Sequence, residues 1–241
     1  MAFYTGSLVP VPTANKAAYL DHARRAWPLF RDRGAVRMVE TWGEDVKPGK
    51  VTDLLRAVQA TPDETVVFSW IEWPDQATAD AAWQAMMDDP AIEEQMGEMP
   101  FDGPRMIFGG FSDMVAEGTD KGAGYYQGFV VPVPGDNKAA YVTMAQSVWP
   151  EFQARGCLGN FELWGEDVPR GKRTDFYRAV DAKDGEVIVF AWTAWPDRAT
   201  CDAAAQAMEA DMAGHDMPEM PFDGMRMAWG GFSTLFDSDR G

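Results

Sequence analysis

Apolar side chains at Tyr19, Ala23, Ala26, Trp27 and Phe30 are spaced to lay one stripe along a helix. The same stripe returns at Tyr141, Ala145, Val148, Trp149 and Phe152. Asn15 and Asn137 stand at the expected N-caps, and Gly34 and Gly156 at the expected left-handed stops. A β-rich run at residues 3–11 precedes the first helix, and its Pro10 and Pro12 disfavour continuation as a central strand. Beyond the helix the pattern predicts strands at 36–42, 52–60 and 65–73, with a turn through Pro48-Gly49. Asp75 (Asp197 in the second instance) opens a further helix that runs through Met86, with Ala81 and Ala82 allowing close approach to the layer beneath. A last strand covers 106–111, where Gly109-Gly110 and Gly230-Gly231 permit a bulge or a close backbone contact.

The whole pattern occurs twice. Residues 4–112 recur as 126–233, with slightly more than half of the aligned positions identical. Gly6-Ser7-Leu8-Val9-Pro10-Val11-Pro12 returns as Gly128-Phe129-Val130-Val131-Pro132-Val133-Pro134, and Met99-Pro100-Phe101-Asp102-Gly103 as Met220-Pro221-Phe222-Asp223-Gly224. The register holds at 122 residues until after Met86, where the second copy is one residue shorter. Solenoid repeats recur at ~20–50 residues, so this period marks a duplicated domain. The expected organisation is a first repeat at 1–115, a linker at 116–124 and a second repeat at 125–241. Strand-helix-strand-strand-helix-strand, with one extra strand or arm, predicts an α+β ferredoxin-like unit. One sheet face of such a unit needs an apolar partner. Two fused copies supply each other, giving an intramolecular dimeric α+β barrel, with further oligomerisation left open.

The chain has 21 basic and 38 acidic residues, a net charge of −17. That charge repels phosphate backbones, so nucleic acid is not an expected partner. No run approaches the ~20 apolar residues of a membrane span, and no signal peptide is evident at the start. A cytoplasmic location is expected, and Cys157 and Cys201 read as reduced thiols replacing Ala35 and Ala79.

Four segments carry a family resemblance: Gly-Phe-Val-Val-Pro-Val-Pro at 128–134, Trp-Gly-Glu-Asp-Val from Trp42 and again from Trp164, Val-Val-Phe-Ser-Trp at 66–70, and Met-Pro-Phe-Asp-Gly from Met99. Together they resemble the domain-of-unknown-function family whose bacterial prototype is YbaA. The resemblance spans nearly all of both copies. It implies a dimeric α+β-barrel fold and no particular activity, and a fused tandem departs from the usual single-domain member. The wider superfamily includes cofactor-free monooxygenases, haem-degrading enzymes, isomerases, peroxidases and ligand-binding modules, so the fold alone does not select a function.

Side-chain parity supplies the candidate chemistry. Met38, Glu40 and Trp42 share one strand face, as do Asn160, Glu162 and Trp164. Read as strand, residues 52–60 place Arg56 between Leu54 and Val58, and Arg178 between Phe176 and Val180. Arg56 with Glu40, and Arg178 with Glu162, are the candidate catalytic pairs; the alternative is a salt bridge that only fixes register. Trp42, Asp45, Lys50 and Arg105, with Trp164, Asp167, Lys172 and Arg226, are candidate ligand-binding residues on two turns; the alternative is solvated turns. The expected cavity touches Glu40, Trp42, Arg56 and Arg105 or their counterparts. It should be larger in the second copy, where Ala205 replaces Trp83, unless Trp229, which replaces Phe108, fills the gap. No metal or cofactor is expected: His22 and His215 lack counterparts, and no His/Cys cluster has ligand spacing.

Fifteen methionines and ten tryptophans suit either an adaptable core or an aromatic-lined cavity. Two main functions remain. One is a cofactor-independent enzyme acting on a small hydrophobic or aromatic molecule; the other is a non-catalytic ligand-binding or stress-response module. A structural interaction protein is the third reading.

Overall fold

The computed structural model describes residues 2–213 and 219–240. The first half runs β1 (Phe3–Pro12), α1 (Lys16–Arg31), β2 (Arg37–Asp45), α2 (Leu54–Ala57), β3 (Glu64–Trp73), α3 (Gln76–Asp88), α4 (Ile92–Met96) and β4 (Ile107–Gly118). The second runs β5 (Tyr125–Pro134), α5 (Lys138–Ala154), β6 (Gly159–Asp167), α6 (Phe176–Ala179), β7 (Glu186–Trp195), α7 (Arg198–Met212) and β8 (Ala228–Asp237). The strands close an antiparallel barrel in the order β1-β3-β2-β8-β5-β7-β6-β4. Each half therefore contributes four adjacent strands. The halves meet along two hydrogen-bonded seams, β2 with β8 and β4 with β6.

Alternation along the strands separates two apolar faces. Tyr4, Leu8, Val39, Phe68 and Trp70 point into the barrel with Tyr126, Val130, Phe190 and Trp192. There, equivalent residues of the two halves meet each other. Phe68 stacks on Phe190 and Trp70 on Trp192, each pair with centroids 4.2 Å apart. All four are essentially fully buried. The opposite face of each sheet packs under the long helices, where Ala79, Ala82 and Met86 of α3 join Ala23, Ala26 and Phe30 of α1. Ala81, expected in this contact, is exposed.

Three local expectations are corrected. Residues 52–60 are not a strand. Asp53 accepts a hydrogen bond from the Arg56 amide at 2.7 Å and caps the one-turn helix α2, and α6 forms in the same way behind Asp175. These turns insert Leu54 and Phe176 into the barrel core. Asn15 and Asn137 do not cap their helices; they donate to the carbonyls of Pro100 and Pro221, at 2.9 and 2.8 Å. Pro10 and Pro12 do not end β1, but they lie beyond Leu8, where its pairing with β4 stops. Gly34 and Gly156 adopt the expected positive φ, 102° and 92°. Asp75 and Asp197 cap α3 and α7 as read.

One seam is clamped by charge. Arg37 Nε and Nη2 donate to the two carboxylate oxygens of Asp237, each at 3.0 Å, and Nη1 donates to Asp120. All three side chains are buried. β4 continues through 116–118, so the expected linker begins as strand and then contributes Asp120 to this clamp.

Two outcomes follow for stability. Arg37→Ala strands two buried carboxylates and should lower unfolding free energy by about 3–5 kcal/mol in urea melts. An unchanged midpoint would show that the clamp is not coupled to folding. A Cβ on Gly128 would lie 2.7 Å from the Phe68 ring. Gly128→Ala should therefore lose about 1–3 kcal/mol by overpacking the stacked layer, read by the same melts.

Candidate functional site

Because the barrel interior is filled, the space for a ligand lies on the other face of the sheet, between strands and helices. A cavity of about 520 Å³ opens there in the first repeat. Its floor is Thr5, Ser7 and Val9 of β1, Met38 and Glu40 of β2, and Ser69 and Ile71 of β3. Tyr19, His22 and Phe30 of α1 and Trp83 of α3 form its roof. Met87, Met99 and Phe108 line it while staying exposed. Asp167, from the end of β6, also lines it, so the second repeat contributes a residue.

Glu40 is the chemically distinctive group in this cavity. It sits on β2 directly opposite Ser69 of β3, half-buried beneath α1. Tyr19 begins the apolar stripe of α1 and donates from its hydroxyl to Glu40 Oε2 at 2.8 Å. Ser7 and Ser69 share a hydrogen bond at 2.7 Å across β1 and β3. His22 lies one turn beyond Tyr19, its ring centroid 5.7 Å from that of Phe101. Its Nδ1 is buried without a hydrogen-bond partner.

Burial raises the Glu40 carboxyl to about 7, partly offset by the hydrogen bonds from Tyr19 and Ser69. Glu162 is raised to about 7 by the same cause and accepts from Tyr141 at 2.8 Å. Burial likewise raises Tyr19 and Tyr141, with the adjacent carboxylate next in effect, so both phenols stay protonated. Burial lowers His22, which favours neutral imidazole.

The expected arginine partners are elsewhere. Arg56 bonds Asp53 through Nε at 2.5 Å, and Arg178 approaches Asp175 at 3.5 Å; both guanidinium groups are about half exposed. They serve one-turn helices at the barrel end. Neither pairs with Glu40 or Glu162, because α2 and α6 replace the strands that would have aligned them. Arg105 and Arg226 are pinned in ion pairs, to Glu64 at 2.7 Å and to Glu186 at 2.6 Å, with Asp102 and Asp223 as second partners. The Arg105 hydrogen bonds hold Glu64 down to about 2.

Trp42 and Trp164 are buried under the ammonium groups of Lys16 and Lys138, which stand 5.2 and 4.7 Å from the ring centroids. Asp45 pairs with Lys47 at 3.0 Å and faces Arg198 at 3.6 Å. Lys50 and Lys172 are exposed. Of the residues singled out by sequence, the first cavity brings together Glu40 and Asp167. It does not include Trp42, Asp45, Lys50, Arg56 or Arg105.

A second cavity, about 700 Å³, occupies the corresponding place under α7. Ala205 and Trp229 both line it, and Glu162, Trp164, Arg178 and Arg226 do not. Sequence reasoning missed Tyr19, Ser7 and Ser69. The available signals were Tyr19 on the same helix stripe and the small polar residues at alternate positions of β1 and β3. His215 lies outside the described residues. Among the described residues no group of three or more His, Cys, Asp or Glu could hold a metal, and no helix is long and apolar enough to cross a membrane. Cys157 and Cys201 are free and buried.

A raised carboxylate destabilises the fold as pH rises. Below the ordinary value near 4.5 both folded and unfolded chains hold the proton, and the contribution is constant. Between about 4.5 and about 7 the unfolded chain releases protons that the folded chain keeps; above about 7 the loss levels off. Glu40→Gln/Glu162→Gln should therefore melt higher than the parent at pH 8, with the difference shrinking towards pH 4. A difference independent of pH would show that these carboxyls titrate normally.

Comparison with known proteins gives the chain its relatives. The Escherichia coli K12 protein YbaA, itself uncharacterised, is 50% identical over 117 residues, which cover 48% of this chain and 100% of YbaA. Among solved structures, an anthrone oxidase-like protein superposes with a TM-score of 0.59 at 12% identity, covering 98% of this chain and 92% of its own. A candidate monooxygenase from Fusobacterium nucleatum gives 0.53 at 9% identity, covering 98% and 93%. These likenesses establish a shared fold, the α+β barrel. The model of one family, described as a protein of unknown function (DUF1428), matches twice, at residues 2–103 and 124–224, and the chain belongs to that family.

Proposed function

We infer that the protein is a cofactor-independent enzyme that moves a proton on a small hydrophobic or aromatic molecule, with Glu40 as the acid–base group. The reading also takes the chain as two fused ferredoxin-like repeats, 1–115 and 125–241, joined by 116–124 and acting as a pseudo-dimer. The single observation that carries it is Glu40: a half-buried carboxyl, raised to about 7, on the floor of a cavity that is otherwise largely apolar. A volume of about 520 Å³ lies in the range of small-molecule sites.

The chemistry follows from the contacts. Ionised Glu40 accepts a proton from an acidic C–H or O–H of the bound molecule, and the carboxylic acid so formed can return it. Tyr19 fixes the carboxyl orientation through Oε2. Ser69 donates to the same carboxyl and accepts from Ser7, so the serine pair helps to hold Glu40 in place. The aromatic and methionine walls exclude water and accommodate a flat ring. The step needs a carboxylate and no other reagent.

The anthrone oxidase-like neighbour suggests anthrone, whose ring methylene is acidic, as a probe. The enzyme should accelerate exchange of that methylene with D₂O, followed by NMR, and the rate should rise as pH passes through about 7 and Glu40 ionises. Glu40→Gln should lose about 10²-fold or more of the acceleration while still quenching tryptophan fluorescence on binding anthrone. Equal exchange in the two proteins would remove Glu40 from the chemistry. Binding without exchange in the parent would favour the ligand-binding module instead.

A further inference from the structure

We propose that the Thr5 hydroxyl is the hydrogen-bond donor that selects the ligand of the first cavity, and that the class it selects is a flat aromatic ketone whose carbonyl oxygen rests on Thr5. The proposal rests on the reading of that cavity as a substrate site and adds the contact that would hold the substrate's oxygen.

Thr5 is singled out by where the hydroxyl hydrogens of the cavity go. Four hydroxyl side chains line it: Thr5, Ser7, Tyr19 and Ser69. Tyr19 and Ser69 donate to Glu40, and Ser7 donates to Ser69. Each hydroxyl has one hydrogen, so these three are spent inside the protein. Thr5 is different. Its Oγ1 accepts from Trp73 Nε1 at 3.1 Å and from Trp83 Nε1 at 3.3 Å. A hydroxyl oxygen has two acceptor sites, and both are taken, which leaves Thr5 only its own hydrogen to give. Among the described residues none accepts it. Thr5 is 8% exposed, and a donor so placed gains from any ligand that brings an acceptor.

The arrangement is confined to the first repeat. In the second, Gln127 takes the place of Thr5 and Ala205 that of Trp83. Trp195, the counterpart of Trp73, donates to Thr193 instead.

Strand register sets Thr5 against Glu40. Thr5, Ile71 and Met38 form one row across β1, β3 and β2, and Ser7, Ser69 and Glu40 form the next. Thr5 and Glu40 therefore stand two strands and one row apart, roughly 12 Å between their backbones. They meet different atoms of one ligand. An acceptor oxygen at Thr5 and an acidic C–H at Glu40, joined by a flat ring system, describe an aromatic ketone. As Glu40 takes the proton, the electron pair of the C–H bond delocalises onto the carbonyl, and charge gathers on the oxygen that Thr5 holds. The charged side chains that line the cavity, Glu40, Asp80 and Asp167, are acidic, which disfavours a carboxylate as the acceptor. Phe30, Trp83 and Phe101 supply walls for the rings.

The test compares fluorenone, a flat ketone with no acidic C–H, with fluorene, the same rings without the oxygen, each by equilibrium dialysis against the intact protein. The parent should bind the ketone about 2- to 10-fold more tightly, the worth of one neutral hydrogen bond. Thr5→Val removes the hydroxyl at nearly constant shape and should erase that preference while fluorene affinity holds. Thr5→Ser keeps the hydroxyl and should keep the preference. Equal affinities in the parent, or a preference that survives Thr5→Val, would overturn the proposal. If Thr5→Val folds poorly because two indoles lose their acceptor, the infrared carbonyl stretch of fluorenone on the parent decides. It should fall below its value in hexane, and an unshifted band would overturn the proposal as well. Glu40→Gln separates this from the acid–base reading: it should abolish exchange of the anthrone methylene and leave the ketone preference intact. A Thr5-dependent preference in a protein that catalyses no exchange would remove the acid–base role and leave the Thr5 contact standing.

Discussion

The Phe68–Phe190 and Trp70–Trp192 stacks determine where everything else can go. Two sheets meet face to face only if their facing layers interdigitate without voids. Here each ring lies flat on its own counterpart, at 4.2 Å between centroids. Flat stacking needs room on the neighbouring strand, and Gly6 and Gly128 provide it: a Cβ on either would press on Phe190 or Phe68. Leu54 and Phe176, carried in by α2 and α6, complete the same core. A barrel packed this way is a structural interface, and the cavities lie on the reverse of the sheet.

That displacement explains the environment of Glu40. On β2 an inward residue, Val39, joins the barrel core, so Met38 and Glu40 on either side of it must face the helices. α1 crosses that face and places Tyr19 over the carboxyl. A carboxyl sandwiched between a sheet and a helix loses hydration and gains one phenol and a serine as partners, which leaves its proton affinity raised. The polarity at Glu40 is therefore a by-product of strand parity combined with helix cover. It requires no special loop.

Much of this was legible in the sequence, and the failures have physical causes. The duplication, the long helices and the shared face of Met38, Glu40 and Trp42 all follow from periodicity. Residues 52–60 were misread because Leu54, Arg56 and Val58 alternate like a strand, while Leu54, Ala57 and Val58 equally match a single helical turn. The Asp53 cap decides between them, and a run this short offers no other discriminator. Placing Arg56 on a strand then created a false partner for Glu40. Which sheet face carries the cavity was not legible, for a different reason. Both faces of each sheet are apolar, and sequence does not say which one is packed shut.

The same geometry explains how the two halves have diverged. Inside the barrel each half is the other's packing partner, so a change at Phe68 or Trp70 must be matched across the stack; both positions are the same residue in the two copies. Under the helices no such mutual constraint applies. There Ser7 faces a counterpart of Phe129, Met38 of Asn160, Ser69 of Ala191, Ile71 of Thr193 and Trp83 of Ala205. The Tyr–Glu pair persists on both sides at 2.8 Å, while its surroundings change from hydroxyls and histidine to phenylalanine, alanine and methionine. Fusion of the two copies removes the requirement that both cavities be alike, because each can vary alone while the shared barrel stays intact. Two differently lined cavities on one rigid core are the physical consequence.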